Sequence, residues 1–181
     1  MIHITLPDGN IKAFENPITG FDLAKSISEG LARNCVAMEL NGNRVDLNAQ
    51  ISQDAKVRLI TSADPEALEI LRHSAAHVMA QAILHLYPAA KLTIGPSVED
   101  GFYYDIDMEP VSEIDFPKIE AEIQKIIKSK LLFKRKEVSK SEALDFYKAE
   151  PYKLEMISDL QDGTISFYEQ GDFTDLCRGP H

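Results

Sequence analysis

Two prolines, Pro65 and Pro88, bracket the stretch that most constrains this fold. Asp64 suits a helix cap, and Pro65 suits the first helical turn, where no backbone donor is needed. Pro88 forbids continuation, so the spacing predicts a helix from Pro65 to about Leu86. Leu68, Leu71, Ala75, Val78, Ala82 and Leu86 form its expected buried stripe. His73 and His77 stand at i and i+4 beside that stripe, so both imidazoles project from one face.

Ahead of Ser62-Ala63-Asp64-Pro65 the chain reads as a compact αβ unit. Ile2-His3-Ile4-Thr5-Leu6 alternates as a strand does, Asp8-Gly9 is a hairpin signal, and Ile11 to Phe14 resumes the alternation. Phe21 to Ala32 has helical spacing with Gly30 near its end. Cys35 to Leu40, the Asn41-Gly42-Asn43 turn and Lys56 to Thr61 complete the pattern. Hairpin, helix, further strands is the order of a ubiquitin-like β-grasp fold. Beyond Pro88, Lys91 to Met108 reads as two strands around Gly95-Pro96, and Pro117 to Leu131 as an amphipathic helix with Ile119, Ile123, Ile126 and Ile127 inward. Ser139-Lys140-Ser141-Glu142 is a capping box opening a short helix to Lys148, and Thr164 to Tyr168 is a strand. The fold class is therefore α+β in two domains, 1–62 and 63–181.

Charge narrows the function classes. The formal net charge is −10, which argues against a protein that coats nucleic acid non-specifically. Residues 1–62 hold six Lys/Arg against seven Asp/Glu, while residues 63–181 hold thirteen against twenty-two. The one basic run, Lys125 to Lys140, is read as a solvated helix end or, alternatively, a phosphate-backbone contact. No run is long enough to cross a bilayer, and the start lacks the basic and apolar regions of a secretion signal. Cys35 and Cys177 make no disulfide framework, so a cytoplasmic location is expected.

The chemistry gathers at two places. His73-Ser74-Ala75-Ala76-His77 and Cys177-Arg178-Gly179-Pro180-His181 together offer three His and one Cys, a ligand set of the zinc type or a metal-free hydrolytic pocket. Lys153 follows Pro151-Tyr152 in what reads as a non-helical stretch, where a lysine is commonly solvated. Aimed into a pocket, it would stabilise a developing oxyanion or hold a ribose or phosphate oxygen. Asp175, two residues before Cys177, would face the same way in an extended segment and could orient an imidazole or take a proton from water. One of Tyr103 and Tyr104 should face the core and the other the opposite side. Gly95-Pro96 and Gly179-Pro180 are turn punctuation or places of close backbone approach.

Taken in order, Ile4-Thr5-Leu6-Pro7-Asp8-Gly9, Arg72 to His77, Ile94-Gly95-Pro96, Gly101 to Asp105, Tyr152-Lys153 and Asp175 to His181 resemble the N-terminal part of bacterial threonyl-tRNA synthetases. The resemblance implies a TGS domain over 1–62. Over 63–181 it implies an editing domain of the threonyl/alanyl type, C-terminally truncated, with a long first helix packed on an antiparallel sheet. It further implies hydrolysis of mischarged Ser-tRNA(Thr) after transfer, because one missing methyl changes binding by only about 1–3 kcal/mol and a second sieve is needed. On that resemblance His73, Lys153, Asp175, His77, Cys177 and His181 are catalytic, and Tyr104, Gly95 and Pro96 bind substrate. The expected partner is tRNA(Thr), no membrane is involved, and dimerisation would come from domains absent here. No cofactor is expected, since ATP and the catalytic zinc belong to the absent aminoacylation core. Zinc at the His/Cys cluster, as in alanyl relatives, is the alternative.

Two other classes compete. A non-enzymatic module that recognises RNA or protein would have no reason to keep His73, Lys153, Asp175 and Cys177 together. A zinc-dependent trans-editing hydrolase of the alanyl type would hold stoichiometric metal.

Overall fold

Residues 1–181 are described by a computed structural model. Within it the chain divides into two compact units, Met1–Leu71 with Gly179–His181, and Arg72–Arg178.

In the first unit, β1 (Ile2–Thr5) turns through Asp8-Gly9 into antiparallel β2 (Ile11–Phe14). Then come β3 (Ile18–Thr19), α1 (Gly20–Ile27), α2 (Glu29–Asn34), β4 (Cys35–Leu40), β5 (Asn43–Asp46), β6 (Gln50–Ile51) and β7 (Ala55–Thr61). The main sheet runs β2-β1-β7-β4-β5, and β1 and β7 pair in parallel while the other neighbours are antiparallel. This mixed sheet, with a helix between its first and second hairpins, is the β-grasp arrangement that the element order predicts. Its core is Ile2, Ile4, Leu23, Met38, Ile51 and Val57. Asn41 and Gly42 both have positive φ (52° and 86°), the pairing a two-residue hairpin turn demands, so Asn-Gly fixes the β4–β5 register.

The single helix expected over Phe21 to Ala32 is two. Ser28 is extended (φ −163°, ψ 151°) and its side chain accepts from the Leu31 backbone N–H, capping α2. A serine that can bond its own backbone offers the chain an alternative to helix, which wins here. Gly30 consequently lies in the first turn of α2 rather than near a helix end.

Helix α3 runs Pro65–Leu86, as its prolines dictate. Asp64 does not cap it; its carboxylate accepts from the Thr61 backbone N–H (2.6 Å) and hydroxyl (2.8 Å) instead. Of the expected stripe only Ala82 is fully buried, and Leu68 and Leu71 face outward. Ala67, Ile70, Ala76, His77, Ala80, Gln81, Ala82 and Ile83 are buried, whereas Leu68 is 53% exposed and Leu71 49%. The helix is apolar around much of its circumference, so periodicity leaves its phase undetermined. Small residues take the packed side because they let neighbours approach. Ala67 and Ile70 join Ala37 and Ile60 in the first unit.

The second unit continues with one long hairpin, paired at its base by β8 (Lys91–Leu92) with β11 (Ile106–Asp107) and near its tip by β9 (Ser97–Val98) with β10 (Gly101–Phe102). Its reversal falls at Glu99-Asp100, not at Gly95-Pro96. Arg72 ties that reversal down, donating to the carbonyls of Val98 (3.1 Å) and Glu99 (2.5 Å). Helix α4 (Phe116–Ser129) buries Ile119 and Ile126 but leaves Ile127 53% exposed, because only one of two adjacent residues can face the core. Strands β12 (Lys134–Glu137), β13 (Ser166–Gln170) and β14 (Phe173–Leu176) form an antiparallel sheet in that order. Between β12 and β13 lie α5 (Lys140–Phe146), with both bonds of its Ser139–Glu142 capping box, and α6 (Pro151–Ser158). Val138, Ala143, Tyr147, Ile157, Ile165 and Phe167 pack between these helices and the sheet. The basic run is half helix end and half edge strand, and Lys134, Arg135 and Lys136 are all exposed on β12. No helix is long and apolar enough to cross a membrane.

Candidate functional site

Lys153 is helical, contrary to the non-helical stretch read from the sequence, and of the two positions left open for its side chain the buried one is occupied. Pro151 opens α6 at a position where its missing donor costs nothing, and no side chain caps the helix. Two long-range contacts fix the opening turn instead. The Lys91 ammonium reaches Glu150 (2.7 Å), and the Tyr152 hydroxyl donates to Asp107 (2.7 Å). They anchor α6 to the β8–β11 hairpin and turn Lys153 inward, where it is 2% exposed.

Asp175 waits there on β14, also 2% exposed, with its backbone opposite Tyr168. Its Oδ1 accepts from the Lys153 ammonium at 2.6 Å and from the Leu176 backbone N–H at 2.8 Å. Its Oδ2 accepts from the Tyr104 hydroxyl at 2.5 Å. The Lys153 Nζ in turn lies 3.3 Å from the Tyr104 oxygen. Burial, and then the Asp175 carboxylate, push the Tyr104 hydroxyl far above the usual phenol range, so it stays a donor. The three groups satisfy one another, the condition under which charge survives burial.

On the other side of Asp175, His77 Nε2 stands 3.7 Å from Oδ2. Burial first, then the neighbouring His73 and Lys153, drive this imidazole down to about 3, so it is neutral at physiological pH. Its ring meets Phe173 edge-on at 5.9 Å and His73 at 5.0 Å. His73 Nε2 is 3.2 Å from the Cys177 sulfur. Cys177 is fixed by its backbone N–H, which donates to the Ser166 carbonyl (3.1 Å), and by its carbonyl, which accepts from the Ser166 hydroxyl (2.5 Å). His73, His77, Lys153, Asp175, Cys177 and Tyr104 therefore meet within the second unit. His181 is grouped with the first unit, where its backbone N–H donates to Asp46 at 2.8 Å.

Gly95 packs against Tyr104, whereas Pro96 meets only the backbone of Tyr103. A Cβ on Gly95 would stand 2.2 Å from the Tyr104 ring, so only glycine lets the ring lie flat against its hairpin partner. The Pro96 carbonyl accepts from the Tyr103 backbone N–H at 3.4 Å, on the same rungs. Tyr103 is 46% exposed, so the alternation expected for the pair holds. Sequence reasoning missed the supports Lys91, Glu150, Tyr152 and Asp107, which leave no local trace because each pair is 45 or more residues apart. It also missed Tyr147, buried beneath the site, whose hydroxyl donates to the Thr174 carbonyl at 3.3 Å.

The chemistry this arrangement offers is a preorganised ammonium–carboxylate–phenol triad next to a neutral imidazole and an imidazole–thiol pair. Comparison with known proteins agrees with the motifs. Residues 2–61 match the TGS domain family, so the first unit contains a TGS domain. Over its whole length the chain is 66% identical to the threonine--tRNA ligase of Desulfatibacillum aliphaticivorans and 55% identical to that of Clostridioides difficile strain 630, covering 28% and 29% of those proteins. That of Enterococcus faecalis strain V583 is 49% identical over 99% of the chain and again 28% of the relative. The chain thus corresponds in sequence to the N-terminal region of threonine--tRNA ligases and spans less than a third of their length.

Proposed function

We propose that the chain is a TGS domain followed by an editing domain that hydrolyses the ester of mischarged Ser-tRNA(Thr). The observation that carries this reading is the buried Lys153–Asp175–Tyr104 triad beside His73 and Cys177. An ammonium has three donors; Asp175 and Tyr104 engage two, and the third faces the carbonyl oxygen on which charge develops as water adds. Asp175 holds that ammonium in place. His73, oriented by Cys177, contacts the attacking water or the ribose hydroxyl, whereas His77 is too weak a base to take the proton at neutral pH. Tyr104 shapes the amino-acid pocket, and the ribose 3′ oxygen departs with the proton. The partner is tRNA(Thr), and the setting is cytoplasmic.

Deacylation of Ser-tRNA(Thr) and Thr-tRNA(Thr) tests this directly. We expect selectivity for the seryl ester and a loss of about 10²–10³ in rate for Lys153→Met and for His73→Asn. Unchanged rates in both variants would sink the assignment.

A second reading is favoured by one observation: the donor atoms of His73, His77 and Cys177 lie within 4.8 Å of one another, and all three are of the type zinc takes. These residues would hold the ion, which would supply an activated water when bound. A cobalt-substituted protein with thiolate charge-transfer absorption, lost in Cys177→Ser, supports that reading. Its absence, with full deacylation in chelator, rejects it.

A further inference from the structure

Two arginines that the hydrolytic reading leaves unused, Arg135 from the basic run and Arg178 from the Cys177-Arg178 motif, line one cleft of about 470 Å³ in the second unit. Its remaining lining is Asp159, Leu160, Gln161, Thr164 and Ser166. Two guanidiniums against one carboxylate give the cleft a positive character on a chain whose net charge is −10. A polyanion approaching such a surface is repelled from most of it and admitted at this place.

The cations are recruitable. Arg135 is bonded to Glu137 at 2.7 Å, two residues along the same face of β12, but the two side chains are 42% and 73% exposed. An exposed pair of this kind contributes roughly 0–1 kcal/mol, so a phosphate, which a guanidinium grips with two parallel bonds, displaces Glu137 readily. Lys134 and Lys136 alternate to the other face of the strand.

The cleft also adjoins the candidate site. Ser166, on its wall, is the residue that fixes Cys177 through two hydrogen bonds, and Arg178 is the next residue in the chain. The Tyr168 hydroxyl, donating to the Arg178 carbonyl at 3.5 Å, holds that backbone to β13. Ser166 and Arg178 thus belong both to the cleft wall and to the backbone that carries Cys177.

We propose that this cleft takes a phosphodiester of the single-stranded 3′ end of RNA whose terminal ester occupies the triad, an inference that rests on the editing reading for its ligand. Arg135 and Arg178 clasp the phosphate oxygens and Thr164 and Gln161 line the sugar side. The contact is to backbone, so it positions the strand without reading its sequence.

The test uses the whole chain and an unesterified single-stranded RNA oligonucleotide with the acceptor-end sequence of tRNA(Thr), followed by fluorescence anisotropy across a salt series. The Arg135→Gln/Arg178→Gln double variant is expected to bind about tenfold more weakly and to lose about 0.7 from the slope of log affinity against log salt, the value of one phosphate on a single strand. Lys136→Gln should leave the slope unchanged. A methylphosphonate, uncharged at one linkage of the oligonucleotide, should weaken the wild-type chain but not the double variant. Four results overturn the proposal: no measurable binding at low salt, an unchanged slope in the double variant, an equal loss in Lys136→Gln, or a double variant that keeps RNA but loses a poly-glutamate peptide. The last would give the cleft to a protein carboxylate. Because the probe carries no ester, failure of deacylation leaves this measurement intact.

Discussion

Arg58 in the first unit and Lys153 in the second are both cations ringed by acidic or polar partners, and they sit in opposite surroundings. Arg58 bonds Glu39 at 2.9 Å and Glu66 at 2.6 Å and stands 3.6 Å from Asp64, with every side chain about a quarter to a third exposed. Its hydrogen bonds to Glu39 and Glu66 raise the guanidinium above its ordinary value; Arg58 in turn lowers Glu39, and a backbone hydrogen bond first, then Arg58, lower Glu66. Water screens that network, so it stabilises the TGS domain modestly. Lys153 and Asp175 have side chains only 3% exposed. Their mutual attraction must offset a desolvation cost of several kcal/mol per ion before it adds anything. Well-packed apolar residues would serve stability as well or better. A pair kept on those terms points to chemistry, and one kept on Arg58's terms does not.

The sharpest way to break that contrast is to remove one member of each network. Asp175→Leu strands a buried ammonium and is expected to cost about 3–5 kcal/mol in urea unfolding. Arg58→Met should cost about 1 kcal/mol or less in the same measurement. The double variant Lys153→Met/Asp175→Leu should recover most of the single variant's loss while having no deacylase activity. If the double variant stays as unstable as Asp175→Leu, the pair is structural and the argument from burial fails.

Gly95 gives a smaller effect that sharpens the same point. Gly95→Ala brings a methyl to 2.2 Å from the Tyr104 ring, so the ring or the hairpin must move. Overpacking of this kind costs about 1–3 kcal/mol. It also swings the hydroxyl away from Asp175, so deacylation should fall as in Tyr104→Phe and the two changes should not add. Additive losses would mean that Gly95 acts by another route.

How much of this was legible follows from the range of each cause. Asn41-Gly42, the Ser139–Glu142 box, and Pro65 with Pro88 act within a few residues, and the sequence shows the elements they set. Pairing His73 and His77 with Cys177 was legible as a donor set, though not as a geometry. Lys153 was legible as a pocket residue only through the resemblance, and not as helical. Pro151 looks like a breaker, Glu150 offers no cap, and α6 depends on Lys91 and Asp107, more than forty residues away. The phase of α3 failed for a related reason. An apolar helix takes its orientation from its neighbours, and here small residues rather than leucines meet them.

The smallest effect separates two histidines on α3. Burial holds His77 at about 3, so its contribution to stability is lost as pH falls from 6.5 toward that value. His85, at the C-terminal end, bridges Glu122 (2.9 Å) and Asp172 (3.1 Å), and Glu122 chiefly, then Asp172, raise its value. A raised folded value means that its contribution is fully present below the unfolded 6.5 and is lost as pH rises through the folded value. The helix dipole acts in the same sense. His85 is 30% exposed and Asp172 72%, so screening keeps the effect below about 1 kcal/mol. Urea midpoints across pH should show a shallow decline as pH rises above 6.5 that His85→Gln abolishes, with the acid-side decline unchanged. If His85→Gln flattens the acid side instead, the bridge between α3, α4 and the β13–β14 turn is not what holds that end of the helix.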